Sequence, residues 1–293
     1  MHADRALEIL ATGPLTLVQD LGRAGFAAIG VGPSGAADRG AFRLGARLLA
    51  QPYTAAALEV TFGGLSVRAR GHLQLALTGA PAPATVDGRG VGYFGPFALS
   101  DGQVLALGTP PVGLRTYVSV RGGVDVPQVL GSRATDTLSG LGPPPVQSGD
   151  LVPVGPPPAT FPDLDQAPTP ALSSETLVLH AMLGPRDDWL ADVAALSETT
   201  WTTSSQSDRV GIRLAGEPLR RHTARMSQEL PSEGVVRGSI QVPPGGEPVI
   251  FLADHPVTGG YPVVAVLLDK AVDQAAQAVP GQQLRMVLVE ASS

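Results

Sequence analysis

The sequence predicts a mainly β protein with a few short helices, and three observations point there. Glycine and proline are abundant, at 36 and 28 of 293 residues, which supplies turns and breaks helices. Apolar residues recur at period two over short runs. Gly, Pro or Asp separates those runs at short intervals, the spacing of a barrel or sandwich. The length fits two domains or one large all-β unit. Hydrophobic residues at 43% and charged residues at 16% are ample for a packed interior and argue against general disorder.

Taken in order, Leu7–Leu17 reads as a strand followed by a turn. The Gly-rich stretch from Gln19 to Gly35 reads as loop. Asp38 then caps a helix whose apolar face is Phe42, Leu44, Ala46, Leu48 and Leu49. From Ala56 the period turns to two, with Leu58, Val60 and Phe62 alternating with Glu59 and Thr61. Strands follow at Leu65–Arg68, Leu73–Leu77, Val91–Phe94, Val104–Leu107 and Arg115–Val120. Seven of the 18 residues from Pro153 to Pro170 are proline, which predicts a semi-rigid linker. The boundary it marks separates an N-terminal β domain with one helix, residues 1–160, from a C-terminal β domain, residues 171–293. In the second half, Glu175–Leu183 reads as a strand and Arg186–Leu196 as a helix behind Pro185. Val210–Leu214, Val235–Val242, Val249–Leu252 and Val263–Asp269 read as strands, Lys270–Ala278 as a short helix, and Leu284–Glu290 as the last strand.

Composition removes several function classes. The net charge is −6 and no basic stripe is present, so a nucleic-acid partner is not expected. Cysteine is absent, which excludes disulfides and thiolate catalysis. The first ten residues carry Asp4, Arg5 and Glu8 and no apolar signal core. The longest apolar stretch, near Val263–Leu268, is far below the roughly 20 residues needed to span a bilayer. A cytoplasmic protein with no membrane role is the expectation. Lys270 is the only lysine among 20 Lys and Arg residues, so the cationic groups are almost all Arg forks. No Walker loop and no Gly-x-Ser-x-Gly elbow occurs. His2, His72, His180, His222 and His255 are scattered without metal-ligand spacing, and no metal site is expected.

The polar clusters carry the candidate chemistry. Asp20 and Arg23 lie three apart on a Gly-punctuated loop, as a local turn pair or as a carboxylate and a donor fork for a ligand. Ser34 and Asp38 flank a helix start whose backbone amides favour an anion, or which is simply a capped helix. Glu59 falls opposite Leu58 and Val60, facing either solvent or a barrel mouth. Gly131-Ser132-Arg133 is a polar loop. Ser207, Asp208 and Arg209 repeat the Asp–Arg theme before a strand. Ser232 and Glu233 form a polar turn, and Gln241 ends a strand. Asp254-His255 and Thr258-Gly259-Gly260-Tyr261 combine an acid, an imidazole and hydroxyls. His255 has the chemistry of a general acid or base, but strand alternation makes Asp254 a poor orienter for it.

The ordered set of these motifs resembles a known family. Gln19-Asp20-x-Gly22-Arg23-x-Gly25, Gly32-Pro33-Ser34-Gly35-Ala36-x-Asp38 and Leu58-Glu59-x-Thr61 open the series. Gly131-Ser132-Arg133, Gly184-Pro185-Arg186 and Ser207-Asp208-Arg209-Val210-Gly211-x-Arg213-Leu214 continue it. Ser232-Glu233-Gly234, Gly238-x-Ile240-Gln241-Val242-Pro243, Gly259-Gly260-Tyr261-Pro262 and Gln277-x-x-Pro280-Gly281 complete it. This order, spanning nearly the whole chain, is similar to the second subunit of the allophanate hydrolase family, whose members include the C-type subunit of ATP-dependent 5-oxoprolinase. The sequence departs from that pattern at Pro256-Val257-Thr258, where the family has Gln-Thr-Thr, at Val263, where Lys is frequent, and at Pro143-Pro144-Pro145.

The resemblance implies cyclophilin-like β-barrel domains and a partner of the subunit-1 or B type. A further subunit of the A type accompanies the 5-oxoprolinase reading. That reading opens 5-oxoproline to glutamate at the expense of ATP with Mg²⁺. In it Asp20, Asp208, Glu233 and His255 are catalytic candidates. Arg23, Ser34, Asp38, Glu59, Arg133, Ser207, Arg209, Ser232, Gln241, Thr258 and Tyr261 are candidates for substrate or phosphate binding. The same resemblance carries two alternatives. One is a carboxyltransferase module taking carboxybiotin from a separate carrier. The other is a non-enzymatic regulatory partner of a kinase-inhibitor-like subunit 1.

Overall fold

The computed structural model describes residues 5–168 and 172–290. The last linker positions, Thr169 and Pro170, and Ala171 at the start of the expected second domain lie outside them. The chain forms two compact units. One contains the residues up to Arg23, Ser34–Asp136 and Gly140–Leu172; the other contains Ala24–Pro33, Thr137–Ser139 and the residues from Ser173 on. Among the described residues no helix is long and apolar enough to cross a membrane.

The first unit holds strands β1 (Ala6–Thr12), β2 (Leu15–Gln19), β3 (Ala57–Thr61), β4 (Leu65–Arg70), β5 (Leu73–Gly79), β6 (Ala84–Val86), β7 (Arg89–Gly90), β8 (Pro96–Leu99), β9 (Val104–Leu107), β10 (Arg115–Val120) and β11 (Leu151–Pro153), with helix α1 (Arg39–Leu48). They form a six-stranded sheet, β11-β1-β4-β9-β6-β7, and a five-stranded sheet, β2-β3-β10-β5-β8. Leu7, Ile9, Val67 and Leu105 of the first sheet share one core with Leu58, Val60, Leu75, Leu77 and Val118 of the second. The opposite face of the five-stranded sheet is covered by α1, through Phe42 against Ala57 and Tyr117 and through Leu48 and Leu49 against Ala76. That is why all six residues of β10 are buried.

The helix obeys its local signals. Asp38 is extended, and its side chain accepts from the Ala41 N–H at 2.8 Å, satisfying one of the orphan amides of the first turn. Arg47 sits in the last turn, where a cation complements the helix dipole. Gly45 faces the sheet so closely that a Cβ there would lie 2.3 Å from Ser119 Oγ.

Two expectations fail in this unit. Leu7–Leu17 is two strands, because the chain turns at Gly13, whose φ is +65° and whose added Cβ would meet Gly63 O at 1.9 Å. Val91–Phe94 is not a strand. Its Val91 N–H donates to Ala84 of the first sheet and its Phe94 N–H to Leu77 of the second, both at 2.9 Å, so the segment carries the chain from one sheet to the other.

The second unit holds β12 (Leu177–Leu183), β13 (Trp201–Thr203), β14 (Gly211–Ala215), β15 (Glu233–Gly234), β16 (Ser239–Gln241), β17 (Val249–Phe251), β18 (Thr258–Gly259), β19 (Val263–Leu267) and β20 (Gln283–Leu288), with helices α2 (Ala195–Glu198) and α3 (Asp269–Ala275). Seven strands close a barrel in the order β12-β19-β16-β17-β14-β13-β20, while β15 and β18 pair apart. Closure is completed by the parallel pairing of β12 with β20 and leaves no sheet edge in the barrel. Ala265, Ile240, Ile250 and Ile212 lie in register across four neighbouring strands and are all buried. The described residues are thus mainly β with three α-helices, α1, α2 and α3, as the composition indicates.

The expected helix Arg186–Leu196 is broken. A 3-10 turn spans Asp187–Trp189, after which Leu190 is extended. Leu190 bridges to Arg221, and the Ala191 N–H donates to Arg220 O at 2.9 Å. Pairing with a distant segment has taken the bonds a helix would have used. The expected strand Val235–Val242 is interrupted at Gly238, whose φ is +89°, and only its second part enters the barrel.

Candidate functional site

The residues singled out in the sequence fall into three clusters and a hairpin. The first cluster is built around the loop from Val129 to Asp136. Asp20 Oδ1 accepts from the Gly22 N–H at 2.7 Å and from Ser132 Oγ at 2.6 Å, and Oδ2 accepts from the Arg133 N–H at 2.7 Å. Arg23 does not pair with Asp20. Its fork donates to Ala134 O and to Val129 O, and its Nη1 lies 3.9 Å from Asp136 Oδ2. Gln19 Nε2 and Ser34 Oγ both donate to Thr135 O, at 2.8 and 3.2 Å. The Arg133 guanidinium donates to Val126 O and pairs with Asp125 at 2.6 Å. These side chains converge on the protein's own backbone. Their joint effect is to fix one loop, with Arg23 only 2% exposed.

The second cluster lies under the start of α1. Glu59 sits opposite Leu58 and Val60 as period two requires, but that face is covered, leaving it 1% exposed. Its Oε2 accepts from Tyr117 Oη at 2.7 Å and from the Ala37 N–H at 2.9 Å. Arg115 Nε lies 3.6 Å from Oε1. Tyr117 Oη in turn accepts from the Asp38 N–H at 2.8 Å. Burial, and secondarily the neighbouring carboxylates, push the Tyr117 hydroxyl well above its ordinary range, so it stays protonated and works as a relay between helix cap and strand. Tyr117 has no motif of its own in the sequence. The run around it, Arg115-Thr116-Tyr117-Val118-Ser119-Val120, mixes polar and apolar residues, so only the fold shows that its hydroxyl is buried and finds a partner.

The third cluster belongs to the barrel unit. Arg209 and Asp254 form a bidentate pair, Nε to Oδ2 at 2.9 Å and Nη2 to Oδ1 at 3.0 Å, with side chains 2% and 0% exposed. Thr137 adds its N–H and hydroxyl to Asp254 Oδ2. Asp208 is exposed, and its Oδ1 accepts from the Val210 and Gly211 amides, while Ser207 Oγ accepts from the Arg213 N–H. Both residues therefore shape the turn into β14. Asp254 is engaged with Arg209 and Thr137. The His255 Nδ1 lies 2.7 Å from Pro256 O, a contact with a carbonyl that puts the proton on Nδ1.

The remaining candidates gather at the β15–β18 hairpin. Glu233 pairs with Gly259 and Gly234 with Thr258 in register. Glu233 receives both arms of the Arg186 fork, Nε to Oε2 at 3.1 Å and Nη2 to Oε1. That bidentate bond holds the Glu233 carboxyl below its ordinary range and raises the Arg186 guanidinium. Gln241, 4% exposed, donates through Nε2 to Tyr261 O at 2.9 Å. Its amide packs against Gly259, where a Cβ would come within 2.4 Å of Nε2. Ser232, Thr258 and Tyr261 are exposed. This hairpin is the place where the sequence candidates meet solvent together: an Arg–Glu pair, three hydroxyls and a buried amide that sets the backbone beneath them. Arg186 is visible in the sequence as part of Gly184-Pro185-Arg186, but only its pair with Glu233 gives it a role. Among the described residues no group of three or more His, Asp or Glu side chains is arranged to hold a metal ion.

Comparison with known proteins agrees with this architecture. The family described as the carboxyltransferase domain, subdomain A and B, matches residues 29–288. The C-type subunit of 5-oxoprolinase from Escherichia coli K12 is 35% identical over 290 residues, covering 96% of this chain and 90% of that protein. Its counterpart from Haemophilus influenzae is 30% identical, covering 97% and 91%. The crystal structure of Kluyveromyces lactis urea carboxylase superposes on 99% of the chain with a TM-score of 0.92 and 28% identity, and the chain spans only 28% of that protein.

Proposed function

The chain belongs to the family of the carboxyltransferase domain, subdomains A and B, and on that premise we propose that it is the C-type subunit of a 5-oxoprolinase complex, opening the lactam of 5-oxoproline to glutamate together with a B-type partner and an A-type subunit. The observation that carries this reading is extent. The chain is coextensive with the C-type subunit of 5-oxoprolinase, 96% against 90%, whereas it accounts for 28% of the urea carboxylase chain it resembles.

Ring opening adds water across the lactam C–N bond. The carbonyl carbon gains the hydroxyl, and the nitrogen takes a proton and leaves as the amine. Attack needs donors aimed at the oxyanion and a group that orients the ring. In this reading the β15–β18 hairpin receives the substrate. Arg186 meets its carboxylate, with Glu233 kept ionised as an acceptor for the lactam N–H. Ser232, Thr258 and Tyr261 supply hydroxyl donors. Gln241 and His255 hold the backbone that presents them. Arg209, buried and engaged with Asp254, is a positioning residue of the barrel unit, while Asp20, Arg23, Ser34, Asp38 and Glu59 are buried and already engaged within the other unit and hold its own loop and helix start.

ATP with Mg²⁺ is implied by the resemblance, but these residues do not fit it. Arg23 and Arg209, the forks a phosphate would need, are turned inward on carbonyls and on Asp254, and the acidic side chains among the described residues form no metal-holding group. Nucleotide chemistry therefore belongs to another member of the complex in this reading. The test is Arg186→Gln in the reconstituted complex. A raised KM for 5-oxoproline, about tenfold or more, with the KM for ATP unchanged supports the hairpin as the substrate site. An unchanged KM for 5-oxoproline removes it.

A second reading is favoured by the 0.92 TM-score to urea carboxylase. In it the chain is a carboxyltransferase module. Lys270 is the only lysine and no Met-Lys-Met carrier motif surrounds it, so biotin would arrive on a separate carrier. Carboxybiotin decay stimulated by a small amide, with no glutamate formed, would select this reading. A tight complex with a B-type partner and no turnover of either kind would select a regulatory role.

A further inference from the structure

A cleft of about 260 Å³ opens on the barrel over β14, lined by Ser204, Gln206, Arg213, Glu247 and the prolines Pro243 and Pro248. It is separate from the β15–β18 hairpin, none of whose residues lines it. Arg213 and Glu247 line the same cavity, yet among the described residues neither side chain makes a hydrogen bond or an ion pair with the other or with anything else.

The walls explain the separation. Arg213 stands in the middle of β14, paired with Val249 of β17. Its N–H is held by Ser207 Oγ at 3.1 Å, and its carbonyl accepts from the Ser204 N–H at 2.8 Å. Glu247 follows the turn Pro243-Pro244-Gly245-Gly246, which is closed by the Gly246 N–H on Pro243 O and tied to the neighbouring segment by the Leu219 N–H on Gly246 O, both at 2.9 Å. Pro248 fixes the next residue and gives its carbonyl to the Leu214 N–H at 3.0 Å. Both charged side chains thus spring from rigid backbone. The Gln206 amide and the Ser204 hydroxyl line the same cleft. Ser204 Oγ already accepts from the Gln206 N–H, so its own O–H is left to donate.

We propose that this cleft binds a free α-amino acid bearing an acceptor on its side chain. Arg213 takes the α-carboxylate as a planar fork, Glu247 takes the ammonium, and Gln206 and Ser204 meet the side-chain acceptor. The volume lies just below the roughly 300–1,000 Å³ of pockets for drug-sized ligands and suits a molecule of that smaller size. The inference rests on the cleft alone and stands or falls apart from the 5-oxoprolinase reading.

The probe is L-glutamine, titrated into the full chain by calorimetry, with amide shifts followed by NMR. Saturable binding is expected, with shifts in 204–215 and 243–249. Arg213→Gln and Glu247→Gln should each weaken it by at least about tenfold while leaving the melting temperature unchanged, since both side chains are exposed. Glutaramate, which lacks the ammonium, should bind wild type about as weakly as L-glutamine binds Glu247→Gln. Absence of saturable binding overturns the proposal. So does binding that both variants leave unchanged, or glutaramate binding as tight as that of L-glutamine.

Discussion

At the scale of single residues, the polar side chains of this protein divide by what they touch. Tyr117 touches Glu59 and the Asp38 N–H with its hydroxyl, so Tyr117→Phe leaves a buried acceptor and a buried donor short of a partner. A loss of about 1–3 kcal/mol in denaturant unfolding is expected. The same hydroxyl has a pH signature. Its folded value is raised above the ordinary tyrosine value, so the folded state keeps a proton that the unfolded chain loses. Stability is full below about pH 10, the ordinary tyrosine value, and falls as pH rises above it. In an ultraviolet titration the Tyr117 phenolate should appear only with alkaline unfolding, and the late step should be smaller by one tyrosine in Tyr117→Phe, part of it remaining because burial raises Tyr93 as well. Glu233 runs the other way. Its carboxyl is lowered by Arg186, so the pair contributes above the ordinary carboxylate range and is lost as pH falls through the lowered value. Amide exchange of Gly234 and Thr258 should accelerate in that acid window in wild type, and show no such step in Glu233→Gln. Asp254 is the costliest of these residues to remove. Asp254→Ala leaves the Arg209 guanidinium buried without its bidentate partner, and a loss of about 3–5 kcal/mol is expected.

Among the elements, α1 shows how local and long-range signals cooperate. Asp38→Ala should cost about 0.5–2 kcal/mol through the lost cap, and Phe42→Ala about 3–5 kcal/mol through the cavity left against Tyr117; both are read by chemical denaturation. This helix was legible because its cap, its apolar face and its last-turn Arg all lie close together in the chain. The strands with clean period two were legible for the same reason: Ala57–Thr61, Leu65–Arg70, Leu73–Gly79 and Arg115–Val120 all fall where alternation places them. Illegible were the segments whose hydrogen bonds go to distant partners. Leu190 and Ala191 pair with the far-off Arg221 and Arg220, and no local pattern announces that. Val91–Phe94 looks like a strand because it is apolar, yet it passes between two sheets. The candidate site was legible as a set of letters and illegible as an arrangement. Asp20 and Arg23, three apart, bond to different carbonyls and amides of one loop. Glu233 and Arg186, 47 apart, are the pair that forms.

For the whole molecule, two compact β units, one with a sheet pair and one with a closed barrel, place most of their buried charge in fixed internal networks and leave the β15–β18 hairpin to meet solvent. In the proposed reading, that division leaves this chain's own groups to bind and orient while further chemistry is supplied elsewhere in the complex. It also fits the near-complete overlap with the C-type subunit of 5-oxoprolinase. The most direct test is glutamate release from 5-oxoproline and Mg-ATP by this chain reconstituted with its B-type and A-type partners. The account predicts glutamate release that stops when this chain is omitted and returns when it is added back. A folded, stoichiometric complex that forms no glutamate, or glutamate release indifferent to this chain, would contradict it.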